Sequence, residues 1–230
     1  GDRVLDDPGL VLLDHADLGG LLLRRHVLVN DTDATLLVST GAGGLRTLYA
    51  ELDNRGTMTV ERTLTLNAGG NVAHFNSGVL NQDGADLILA LSGDTFENAG
   101  SMTLTNSANL TISGGSFTTT GSLHHGTGNV TAGSTTFHYA AGIITGTGTR
   151  QFSNSVLNLT PGLSNAQAPL ILTGSTVNGP GVLTNAPGST LTFSAVTCHA
   201  DLVNQGDFVT RGGCHLNGSF LAPAGSTLTL

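Results

Sequence analysis

Residues 100–121 read GSMTLTNSANLTISGGSFTTTG and contain no charged side chain. Within them, apolar residues alternate with Thr or Ser at Met102-Thr103-Leu104, Leu110-Thr111-Ile112 and Ser116-Phe117-Thr118. Alternation with a period of two buries one side of an extended strand and leaves the other in water. The three pieces are separated by Asn and Gly. The stretch therefore predicts three short strands joined by tight corners. A unit this small cannot cover its own apolar side, so copies of it are expected elsewhere in the chain.

The copies are present. Gly56, Gly78, Gly100, Gly121 and Gly142 stand at successive spacings of 22, 22, 21 and 21. Each is followed two positions later by Met58, Leu80, Met102, Leu123 or Ile144. Phe75, Phe96, Phe117 and Phe137 recur with nearly the same spacing, and Leu64, Leu87, Leu110 and Val130 form a third series. Three series sharing one period predict an all-β fold, a parallel β-helix or β-solenoid with about 21 residues and three short strands per rung and roughly ten rungs. Rungs stack at ~4.8 Å, the spacing of paired strands. Like residues then pile into ladders, and the four Phe are expected to share one internal aromatic stack. Gly and Asn are expected at corners, where positive φ is tolerated.

The same geometry accounts for the missing charge. Between Gly100 and Ala200 the only Asp, Glu, Lys or Arg is Arg150. An outward charge would face its equivalent one rung away, and like charges so placed repel, whereas hydroxyls and amides hydrogen-bond along a ladder.

Residues 51–230 read as the regular solenoid, with a loop insertion expected near 153–170, where SNSVLNLTPGLSNAQAPL carries Pro161 and Pro169. Residues 1–50, richer in Leu and Asp, read as irregular or capping rungs; a helix over 10–29 fits its valines less well. Net charge is −8 and all eight basic residues are Arg, six of them before residue 63. Nucleic acid and anionic membrane surfaces need clustered cations, so neither is an expected partner. No apolar run reaches the length of a transmembrane helix, so no membrane insertion is expected. GDRVLDDPG lacks the layout of a secretory signal and GSTLTL stops within a strand pattern, as in a trimmed segment of a longer chain.

The Leu-x-Asn-x-Gly grammar with Thr-rich alternation resembles the right-handed parallel β-helices of secreted bacterial proteins. These include autotransporter passengers, filamentous-haemagglutinin-like adhesins and the wider pectin-lyase-like superfamily. The resemblance covers roughly residues 50–150 and 180–230. It implies a non-enzymatic extracellular or cell-surface segment: an adhesin, stalk or fibre that self-associates end to end or continues a longer chain, and meets surface carbohydrate or a host-cell ligand. The alternatives are a carbohydrate-active lyase- or hydrolase-like β-helix and an ice-binding, Thr-faced solenoid. Polysaccharide cleavage needs paired carboxylates, or a carboxylate-bound cation with a base. The polygalacturonase-like run of Asn-Thr-Asp, Asp-Asp, Gly-His-Gly and Arg-Ile-Lys is absent, and the chain has no Trp for a pectate-lyase-like patch.

Four constellations invite chemistry. Asp83, Asp86, Asp94 and Glu97 crowd one rung, and surface turn acids are preferred over a Ca²⁺ site. His124, His125 and His138 lie near one another in sequence, but adjacent strand residues point to opposite sides, which opposes a shared metal. Cys198-His199 and Cys214-His215 are placed at equivalent positions on successive rungs, giving a thiol stack, a disulfide or, less readily, a metal site. TLTL (63–66), MTLT (102–105) and TLTF (190–193) present Thr outward, interrupted elsewhere by Asn81, Gln82 and His124. None of the four assigns a catalytic residue, a metal or a cofactor.

Overall fold

The computed structural model describes residues 10–12, 27–40 and 46–230. The chain coils into a parallel β-solenoid of about nine turns and about 21 residues per turn, with no helix among the described residues. One turn is Thr95–Asn98 on a first face, Ser101–Thr105 on a second and Leu110–Ser113 on a third. The first and third faces are each unbroken ten-stranded sheets, running from Val27–Asn30 to His215–Leu216 and from Arg46–Leu48 to Thr227–Thr229. The second face is divided. Seven strands end at Ile143–Thr145, and four more begin at Leu163–Ser164.

Two of the three sequence series are ladders as expected. Met58, Leu80, Met102, Leu123 and Ile144 are consecutive partners on the second face. Leu64, Leu87, Leu110 and Val130 are consecutive partners on the third. The Phe series is correct for three members. Phe96, Phe117 and Phe137 are fully buried, with ring centroids 5.6 and 5.0 Å apart in stacked pairs. Burial contributes about 1.5–3 kcal/mol per ring.

Phe75 is not in that stack. Its register partner is Glu97, on the outward side, and the inward place beside Phe96 belongs to His74. The step between these two rungs is longer by one position than the spacing of Phe75 from Phe96. What sets the step is a buried row of amides. Asn30 donates to Asn54 (2.6 Å), Asn54 to Asn76 (2.6 Å) and Asn76 to Asn98 (2.7 Å). Each Nδ2 also donates to a main-chain carbonyl after the corner, as Asn98 does to Ser122 at 3.0 Å. A second row, Asn165, Asn185 and Asn204, repeats the device at another corner. One-residue slippage would leave every amide in the row unpaired inside the core, so the rows fix register.

The glycine series is required by close approach. A Cβ on Gly100 would lie 2.1 Å from the carbonyl oxygen of Gly78, and one on Gly121 2.0 Å from that of Gly100. Of the five, only Gly142 has positive φ.

Residues 153–170 carry no added length. Val156–Leu159 and Leu163–Ser164 lie within them. Arg150–Ser153 pairs directly with Leu170–Thr173, by the same step that carries Val130 to Arg150. The irregularity there is lost pairing on the second face. Within 1–50, the described strands Leu10–Leu12, Val27–Asn30, Thr35–Val38 and Arg46–Leu48 join the same sheets. The remaining expectations for 1–50 lie outside the described residues.

Candidate functional site

The division of the second face is where the molecule departs from its own pattern. Ile143–Thr145 pairs with Ser122–His124 below it, but among the described residues no strand pairs with its other edge. Among the described residues Leu163–Ser164 pairs only with Leu183–Asn185 above. In a parallel ladder successive residues turn their amides to alternate neighbours. The Ile143 amide donates to Gly121 and the Leu163 amide to Val182, which turns Ile144 and Ser164 toward each other across the break.

Arg150 closes this seam. It continues the column Leu64, Leu87, Leu110, Val130 and is followed by Leu170, so it points into the core and is 3% exposed. Its Nη1 donates to the Ser164 carbonyl at 3.3 Å and its Nη2 to the Ile144 carbonyl at 3.5 Å. The guanidinium thus takes the place of ladder hydrogen bonds between the two edges. Its Nε donates to Nε2 of His125 at 2.9 Å, and Nδ1 of His125 donates to the Gly128 carbonyl at 2.8 Å. An imidazole that accepts at one nitrogen and donates at the other is neutral. Burial pushes the His125 pKa down, and the Arg150 charge acts in the same direction. The ring needs the space above it, because a Cβ on Gly146 would sit 2.6 Å from Nδ1.

Among the described residues no acid compensates Arg150. Its partners are a neutral imidazole and two carbonyls, and burial brings its pKa down to about 10, which leaves it charged at neutral pH. Above the seam lies an open cleft of about 430 Å³, walled by Ile143–Gly146 on one side and Gly162–Ser164 with Ala166 and Gln167 on the other. Tyr139 also lines it, with the phenol donating to the Gly142 carbonyl at 2.7 Å. This cleft is the candidate site.

The constellations singled out in the sequence do not converge. Asp94 is buried and accepts from the Gly69 and Val72 amides at 3.0 Å, as a corner clamp. Asp86 accepts from the Asn109 amide at 2.9 Å, Asp83 faces Thr105 and Asn106, and Glu97 points outward from the first face. His124 meets Thr145, His125 meets Arg150, and His138 meets Asn158 on another face. Among the described residues no three His, Cys, Asp or Glu gather as a metal site.

The two cysteines are free and are not stacked. Cys198 pairs with Leu216, so Cys214 falls two positions short of that register. Cys198 Sγ faces the Ala200 carbonyl and Cys214 Sγ that of Arg211. The outward column of the third face reads Thr65, Ile88, Thr111, Thr131, Gln151, Ile171 and Thr192. Hydroxyls therefore repeat over only short runs of rungs.

Two buried polar groups depart from the sequence expectation: Gln82, expected among the outward positions that interrupt the Thr ladder, and His74, which the spacing does not single out. Gln82 is fully buried between Val60 and Leu104, and neither side-chain amide atom is hydrogen-bonded among the described residues. His74 accepts from the Leu52 amide at 3.1 Å through Nδ1, and its Nε2 has no partner among the described residues. Comparison with protein-family models, with curated proteins and with solved structures finds no match to this chain.

Proposed function

We propose that the chain is a non-enzymatic segment of an extracellular or surface protein, a stalk or fibre that holds a binding region at a distance. The observation that carries this reading is the pair of ten-stranded ladders on the first and third faces. Buried amide rows lock their register, and the stretch from Gly100 to Ala200 presents an almost uncharged surface. Such a body resists bending because each turn is hydrogen-bonded to the next along its width, and it exposes few flexible loops to proteases. Nine steps at ~4.8 Å give a rod of about 43 Å. Phe220, Leu221 and Leu228 expose apolar area that a second copy stacked end to end would cover.

The test sets stalk against catalyst. Purified protein is incubated with neutral and acidic polysaccharides, and reducing ends and unsaturated products are followed alongside limited proteolysis. The stalk reading expects intact polysaccharide and a protease-resistant body spanning the regular rungs. Product release that scales with protein concentration would replace it with the carbohydrate-active reading.

A further inference from the structure

We propose that the cleft between Ile143–Thr145 and Leu163–Ser164 is a binding site for a small organic carboxylate, with Arg150 as the group that recognises its charge. This goes beyond the stalk reading and does not depend on it.

Three observations carry it. The first is the uncompensated cation. From Gly100 to Ala200 the chain places a single charged side chain, and it turns that charge inward with no carboxylate hydrogen-bonded to it. A desolvated cation is costly when its partners are all neutral, and an anion brought alongside offsets that cost. The second is donor capacity. A guanidinium has five N–H groups in a planar fork. One serves His125, one Ser164 and one Ile144, which leaves one on each terminal nitrogen. A pair of N–H groups in one plane suits the two oxygens of a carboxylate.

The third observation is position. The two carbonyls that Arg150 holds belong to Ile144 and Ser164, and these residues form opposing walls of the cleft. The guanidinium therefore ties the two walls together from behind the lining, of which it is not itself part. By ladder alternation the Ile144 and Ser164 amides also face across the break and supply further donors for an oxyanion. Tyr139, Ile143, Ile144 and Leu163 give the cleft an apolar lining against which a short hydrocarbon body packs. A bare inorganic anion would use the donors but leave this lining wet, so an organic acid fits better than phosphate or sulfate.

The same cleft needs His125 to stay neutral. Protonation would turn its Nε2 from acceptor to donor and face it with the Nε–H of Arg150. The charged or titratable groups nearest the seam are His125 and Arg150 themselves, Tyr139 in the cleft lining, and His124, whose ring faces Thr145.

The test uses isotope-labelled protein and butyrate as the probe, with butyramide as the uncharged match at the same ionic strength. The Arg150 Nε–H resonance and the Ile144 and Ser164 amides are followed. Butyrate is expected to move all three saturably at millimolar concentration, and butyramide to leave them in place. Replacing Arg150 would also unfasten the seam, so the discriminating variant is Ala166→Trp, an exposed wall position where the larger ring fills the opening. It is expected to abolish the butyrate response without shifting the thermal midpoint. Absence of saturable movement, an equal response to butyramide, or a response that persists in Ala166→Trp would each overturn the proposal.

Discussion

The side-chain amide of Asn76 donates to Oδ1 of Asn98 at 2.7 Å, one rung away and out of reach of water. The same nitrogen reaches the Ser101 carbonyl, and Asn76 Oδ1 in turn accepts from Asn54. Asn54 and Asn76 therefore each serve a neighbour on both sides and one corner of the main chain. Asn76→Ala leaves the buried Asn54 amide short of one acceptor and the half-buried Ser101 carbonyl short of one donor. The expected loss is roughly 2–4 kcal/mol in equilibrium unfolding. A change under about half a kcal/mol would mean that the row does not hold register.

Gln82 is the opposite case. Its side-chain amide is buried in an apolar column between Val60 and Leu104 and makes no hydrogen bond among the described residues. Gln82→Leu removes two unsatisfied polar atoms at similar volume. A gain of roughly 1–3 kcal/mol in denaturant unfolding is expected. A destabilised variant would show that the amide has a partner in solution.

The glycine series separates close approach from conformational freedom. Gly100→Ala drives a methyl group into the Gly78 carbonyl. It is expected to cost roughly 3 kcal/mol or to prevent that turn from forming. Gly213 has open space around its Cβ position and no positive φ, so Gly213→Ala is expected to be nearly neutral. Thermal midpoints of the two variants, measured together, check the contrast.

Much of the fold is legible from spacing alone, and the misreadings have one cause. An average period hides steps that run from 25 between Leu10 and Thr35 to 17 between Thr190 and Asp207, and that are 22 near Phe75 and 18 near Cys198. Ring identity aligns Phe75 with Phe96, although Asn54, Asn76 and Asn98 carry the true step in plain view. The shared Cys-His pair aligns the two cysteines, where the local turn is shorter than average but not as short as that pairing needs. The inward place of Arg150 is also legible, since one further step of the series Leu64, Leu87, Leu110, Val130 falls on it. The divided second face is not. It depends on a strand that keeps its length while its edge loses a partner, and no residue type marks that.

Acid is expected to weaken the fold through two buried imidazoles. Burial lowers the pKa of both His74 and His125 in the folded state. Each free imidazole titrates near ~6.5 in the unfolded chain, so above that pH both states are neutral and stability is constant. As pH falls below ~6.5 the unfolded state takes up protons that the folded state refuses. Stability then drops by up to about 1.4 kcal/mol per pH unit per histidine until the folded pKa is reached. In His74→Phe the Leu52 amide loses its acceptor, so the variant is less stable than the parent at pH 8. That deficit is expected to shrink by pH 5. A deficit that stays constant from pH 8 to pH 5 would remove His74 from the account.

The most direct test of the whole arrangement is the distance between spin labels on the third face, in a background carrying Cys198→Ala and Cys214→Ser. Thr65 and Thr192 are joined by six successive register steps, through Ile88, Thr111, Thr131, Gln151 and Ile171. At ~4.8 Å per step the backbone separation is ~29 Å, and Thr65 to Thr131 is half of that. Dipolar distances that rise linearly with the number of rungs are the predicted result. Distances per rung far from ~4.8 Å, or that spread over a broad range, would contradict the coiled ladder on which every other statement stands.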